Sequence, residues 1–89
     1  MLKTEVKVIN ETGLHARPAS QFVQTANKFN CDITVSRAGD SNQYNAKSIM
    51  SILALGLGQG EKVVLTADGE GEKEALTALT SLFESGFGE

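Results

Sequence analysis

The hydrophobic pattern of the first thirty residues changes period at a single place, and this change constrains the fold more than any other feature of the chain. Leu2, Thr4, Val6 and Val8 alternate with Lys3, Glu5 and Lys7, a period of two that predicts a strand over 2–9 with one buried face. Asn10-Glu11-Thr12-Gly13 is turn-forming. From Pro18 onward, Ala19, Phe22, Val23, Ala26 and Phe29 recur at helical spacing, with Gln21, Gln24 and Lys28 opposite. Pro18 is the only proline. It fits a helix only in the first turn, where its missing N–H has no partner to lose. The helix must therefore start near His15 or Ala16, and Asn27 to Asn30 supply its stop.

The later segments follow the same logic. Cys31, Ile33 and Val35 share one parity and predict a second strand. Ala38 to Asn42 forms a turn, and Gln43 to Ala46 a short partner strand, which together make a hairpin. The mostly apolar stretch from Lys47 to Leu57 is expected to be a helix, with Ser48 as N-cap and Gly56 as terminator. Its apolar residues run nearly all the way round, more than a helix needs to cover a small sheet. Val63, Leu65 and Ala67 mark a last strand, and Asp68-Gly69-Glu70-Gly71 turns into a final helix. That helix turns Ala75, Leu76, Leu79, Leu82 and Phe83 inward, and Glu72 and Glu74 in its first turn suit the helix dipole. Ser85 to Glu89 is expected to be a loose tail.

The order βαββαβα, with alternating strands, predicts an α+β open-faced β-sandwich. It consists of a four-stranded antiparallel sheet with three helices on one face. With 89 residues and 40% hydrophobic content the chain makes one domain, residues 1–89. One cysteine, Cys31, cannot close an internal disulfide, which fits a reducing compartment. No apolar run approaches the roughly 18 residues of a membrane span, and no signal-peptide pattern opens the chain. A cytoplasmic protein without membrane insertion is expected. Eight scattered bases against eleven acids give a net charge of −3, which argues against direct nucleic-acid binding.

His15 is the only histidine, and it falls at the helix start. The first turn of a helix presents unpaired N–H groups and partial positive charge, which favour an anion. Nδ1 is the ring nitrogen nearest that terminus and is the atom expected to carry a phosphoryl group. Pro18 has no N–H, so the amides of Ala16, Arg17 and Ala19 are the candidates to hold its oxygens, Ala16 and Arg17 foremost. A neutral imidazole is what a nucleophile needs, and the planar donors of Arg17 suit phosphate. A metal site would need more ligands than one histidine and the distant Cys31 provide. A serine or cysteine hydrolase would lack its elbow motif. The glycines from Gly56 to Gly60 have neither the spacing of a dinucleotide fingerprint nor the lysine of a P-loop. No cofactor and no independent turnover are expected.

Gly13-Leu14-His15-Ala16-Arg17-Pro18-Ala19, followed by Phe22-Val23-Gln24-Thr25-Ala26, resembles the active-site signature of the histidine-containing phosphocarriers, HPr. These serve the bacterial phosphoenolpyruvate-dependent sugar phosphotransferase system. Asn45-Ala46-Lys47-Ser48-Ile49-Met50 resembles the regulatory-serine segment of the family's Gram-positive members. The resemblance implies that His15 accepts a phosphoryl group on Nδ1 from the system's first enzyme and hands it to the A domain of a sugar permease. Arg17 would stabilise the transferred group. Ser48 would be the target of HPr kinase/phosphorylase, and its phosphoform would bind a catabolite-control transcription factor. Ile49, Met50 and Leu53 would form the docking patch for successive partners, with Ile52 and Leu55 kept for the core. A monomer suffices for this role. The alternative is a purely regulatory binding module that acts through Ser48. Two departures from the family pattern stand out: Ser51 where glycine is common, and a hairpin from Arg37 to Asn42 that is two residues longer.

Overall fold

The computed structural model describes residues 1–89. The elements run β1 (Leu2–Lys7), α1 (Ala16–Ala26), β2 (Asp32–Arg37), β3 (Tyr44–Asn45), α2 (Ile49–Leu55), β4 (Lys62–Asp68) and α3 (Glu72–Glu84), and a 3-10 turn (Gly86–Gly88) follows. The strands form one antiparallel sheet in the order β1-β4-β2-β3. The predicted α+β open-faced sandwich is therefore the observed architecture. Val6, Ile33, Val35, Val63, Leu65 and Ala67 face the helices and are buried, while Lys3, Glu5 and Lys7 lie on the open face.

The register shows why the alternation was decisive. Val6 lies opposite Val63, and Val35 opposite Leu65, so a one-residue slip would turn every apolar side chain to solvent. Two strands are shorter than their patterns: β1 ends at Lys7, and β3 keeps only Tyr44 and Asn45. Val8 nevertheless continues the ladder by donating to the Glu61 carbonyl at 3.0 Å, and it is fully buried.

The expected loose tail is instead folded back onto the core. Phe87 is buried, its ring centroid 5.1 Å from that of Phe83, and Phe83 meets Phe22 edge-on at 5.8 Å. The three rings tie the end of the chain to α1 and α3. Gly86 and Gly88 both take positive φ, which allows the tight turn that aims Phe87 inward.

The ends of α2 follow the two residues that marked them. The Ser48 hydroxyl accepts from the Ser51 amide at 3.3 Å, and Gly56 closes the helix in the left-handed conformation (φ 63°, ψ 46°). Helices α1 and α2 run in opposite senses. Asn27, at the end of α1, donates from Nδ2 to the Lys47 carbonyl at 3.1 Å. At the other end the Leu14 amide donates to the Leu57 carbonyl at 3.0 Å.

Candidate functional site

The start of α1 is built from the inside out. Leu14 is fully buried and Gly13 sits against Leu57, so close that a Cβ on Gly13 would lie 2.3 Å from the Leu57 carbonyl oxygen. With φ +65° as well, this position requires glycine. Pro18 and Ala19 are buried on the other side. Between these two anchors His15, Ala16 and Arg17 are left exposed.

His15 is the N-cap residue, with extended backbone (φ −126°, ψ 160°), and its ring makes no capping hydrogen bond. Ala16 then takes φ +49°, a left-handed conformation that costs an alanine about 1–2 kcal/mol. This bend sits directly between His15 and Arg17. The amides of Ala16 and Arg17 donate to no protein acceptor. An exposed imidazole, two free amides and a guanidinium thus occupy consecutive residues at the positive end of a helix dipole, an arrangement that favours a doubly charged oxyanion.

The sequence reading missed the counter-charge. Glu89 places Oε2 3.7 Å from Arg17 Nη2, and its Oε1 accepts from the Thr12 hydroxyl at 2.7 Å. Asn10 donates from Nδ2 to the Gly13 carbonyl at 2.9 Å and lies 3.5 Å from Glu89 Oε1. Arg17 is therefore held beside the site by a carboxylate 72 positions away in sequence. Phe87 was the available signal, an aromatic anchor within an otherwise small and polar tail.

Ser48 is half-buried at the N-cap of α2. The preceding residue, Lys47, is tied to the segment just after α1, its Nζ donating to the Phe29 carbonyl at 2.6 Å. Because α1 and α2 are antiparallel, Ser48 lies near the far end of α1 from His15. The eleven residues of α1, at about 1.5 Å each, make that helix roughly 16 Å long. Ile49, Met50 and Leu53 are 40%, 79% and 46% exposed, whereas Ile52 and Leu55 are buried. Their i, i+3 and i, i+4 spacing makes the three exposed side chains one stripe along α2, running between its Ser48 end and the end that meets Leu14.

Fold and site together define a small open-faced sandwich of the phosphocarrier class, which presents one histidine at a helix start. The family model described as "PTS HPr component phosphorylation site" matches residues 2–85. The chain belongs to the HPr family of phosphotransferase-system phosphocarriers. It is 44% identical over 89 residues to the phosphocarrier protein HPr of Xylella fastidiosa, covering 100% of this chain and 98% of that one. A crystal structure of HPr from Thermoanaerobacter tengcongensis superposes with a TM-score of 0.95 at 52% identity, covering 100% of this chain and 98% of that chain. A structure of an HPr dimer from the same organism gives 0.78 at 52% identity, with both chains fully covered.

Proposed function

We propose that His15 is the phosphoryl acceptor of a sugar phosphotransferase relay. The neutral imidazole, with its proton on Nε2, attacks through the Nδ1 lone pair. A P–N bond forms to His15 as the bond to the phosphorylated first enzyme breaks, and the amides of Ala16 and Arg17 take the phosphoryl oxygens. Arg17 balances their charge. The reverse sequence delivers the group to the A domain of a sugar permease. One observation carries this reading: an exposed histidine, two unpartnered amides and an arginine occupy consecutive residues at a helix start.

The same reading assigns regulation to Ser48, phosphorylated by HPr kinase/phosphorylase in the cytoplasm, with the phosphoform recognised by a catabolite-control transcription factor. A phosphate at Ser48 would be favoured by its own helix terminus but would stand too far away to touch His15 directly. Its effect would instead pass through the partner seated on Ile49, Met50 and Leu53. One chain is sufficient for each transfer, so the carrier would work as a monomer. Such a weak, quickly released complex needs only a small docking stripe.

The test is mass spectrometry after incubation with phosphoenolpyruvate and the first enzyme. The chain should gain one acid-labile phosphoryl group, and His15→Ala should gain none. Labelling of the alanine variant at the native level would remove His15 from the relay. Slower labelling of His15 is expected in chains already phosphorylated on Ser48. Equal rates would show that Ser48 does not regulate transfer.

A further inference from the structure

The segment that supports the histidine loop is itself braced by an ion pair that the phosphoryl chemistry above does not use. Residues 56–58 leave α2 and carry the Leu57 carbonyl, which accepts from the Leu14 amide at 3.0 Å. Leu14 directly precedes His15. On one side of Leu57, the Gly56 carbonyl accepts from Arg37 Nη2 at 3.1 Å; on the other, the Gly58 amide donates to Glu61 Oε2 at 2.6 Å. Arg37 and Glu61 close the frame between them, Nε to Oε1 at 2.5 Å. The Glu61 backbone is anchored in turn, since its carbonyl accepts from the Val8 amide. Both side chains are about two-thirds buried, deeper than an incidental surface pair.

The geometry points to Arg37 and Glu61 as positioning residues for His15, a role that rests on the reading of His15 as the phosphoryl acceptor. The first three residues of the six-residue connection from α2 to β4, with glycine at both ends of the three, would otherwise be among the more mobile parts of the fold. Here it has its first carbonyl and its last amide bound to the two members of one ion pair. The carbonyl between them is thereby held where the Leu14 amide needs it. Any drift of Leu57 would be transmitted through Leu14 to the backbone of His15 and to the amides that follow. Misplacing a reacting group by about 1 Å can cost on the order of a hundredfold in rate, so even a modest loosening should be measurable. Glu61 holds the brace in its charged state: the Arg37 N–H bond first, and then the Gly58 amide, pull its carboxyl below the ordinary glutamate value.

The experiment compares Arg37→Ala and Glu61→Gln with the native chain in single-turnover phosphoryl transfer from the phosphorylated first enzyme. Two readouts separate positioning from mere stability. At saturating first enzyme the transfer rate should fall about tenfold in Arg37→Ala, with little change in the concentration giving half-maximal rate, because the α2 stripe is untouched. Hydrogen exchange of the Leu14 amide should accelerate by a similar factor relative to buried amides of β4. Glu61→Gln keeps an acceptor for Gly58 but loses the charge, and should fall between the two. Glu74→Gly, on the exposed face of α3, loosens a helix without touching the loop and should leave both readouts native. Native transfer rates and native Leu14 exchange in Arg37→Ala would overturn the positioning role. If the native chain itself takes no phosphoryl group on His15, the acceptor reading fails instead.

Discussion

The closest backbone approach at the site makes Gly13 the sharpest place to perturb it. In Gly13→Ala the new Cβ would meet the Leu57 carbonyl oxygen at 2.3 Å and the Gly58 Cα at 3.0 Å. Both are backbone atoms, so no rotamer change relieves the contact. An alanine at φ +65° costs about 1–2 kcal/mol. Pushing Leu57 away also breaks its bond with the buried Leu14 amide, a further cost of about 1–3 kcal/mol for an unsatisfied donor. Stiffening the unfolded chain returns roughly 0.4–1 kcal/mol, leaving a net loss of about 3 kcal/mol. For a domain of this size that corresponds to about 12–24 °C in Tm. Gly39→Ala is the matched control: φ is +85° and nothing lies within 4 Å, so only the conformational term applies, about 1 kcal/mol or less after the unfolded-state gain. Urea unfolding of both variants measures the difference. If the two differ by less than about 1 kcal/mol, the Gly13–Leu57 contact is not the constraint described here.

Other expected outcomes rest on separate contacts. Phe87→Ala removes a buried ring packed on Phe83 and should cost about 3–5 kcal/mol in urea unfolding; a change under 1 kcal/mol would return the last residues to a loose tail. Glu61 is held below its ordinary value of 4.5 by Arg37 and the Gly58 amide. Its contribution is therefore fully present above about pH 4.5 and is lost as pH falls through the lowered folded value. The stability gap between native protein and Glu61→Gln should accordingly narrow below pH 4.5 and stay constant above it, as read by urea unfolding across pH. Glu89→Gln should change stability by less than about 1 kcal/mol, because the Arg17 pair is largely exposed on the arginine side. It should also shift the transfer equilibrium towards phosphorylated carrier by up to about fivefold, since Arg17 no longer has a competing carboxylate. An equilibrium that moves the other way would remove Glu89 as a competitor.

The sequence made some parts of this molecule plain and hid others, for identifiable physical reasons. The first strand, predicted over 2–9 and observed over Leu2–Lys7, and the helix after Pro18 were readable because one face of each is buried, and burial writes its period into the chain. The ends of α2 were readable because Ser48 and Gly56 satisfy or terminate the backbone locally. The place of His15 and Arg17 at an exposed helix start was readable because Pro18 confines that start to two or three residues. The folded-back tail was not, because the burial of Phe87 depends on Phe83 and on two glycines with positive φ, and none of these creates a periodic pattern. Arg17 with Glu89, and Arg37 with Glu61, are ion pairs between residues 72 and 24 positions apart. No local rule joins such partners before the sheet and helices have brought them together.

The central claim concerns a phosphoryl group on Nδ1 of His15, with its oxygens on the Ala16 and Arg17 amides. Nitrogen-15 NMR of the chain before and after phosphorylation by phosphoenolpyruvate and the first enzyme tests it directly. Phosphorus coupling should appear at Nδ1 of His15, and the Ala16 and Arg17 amide protons should move strongly downfield as they acquire a charged acceptor. Coupling at Nε2, or a phosphorylated ring with those two amides unmoved, would contradict the account.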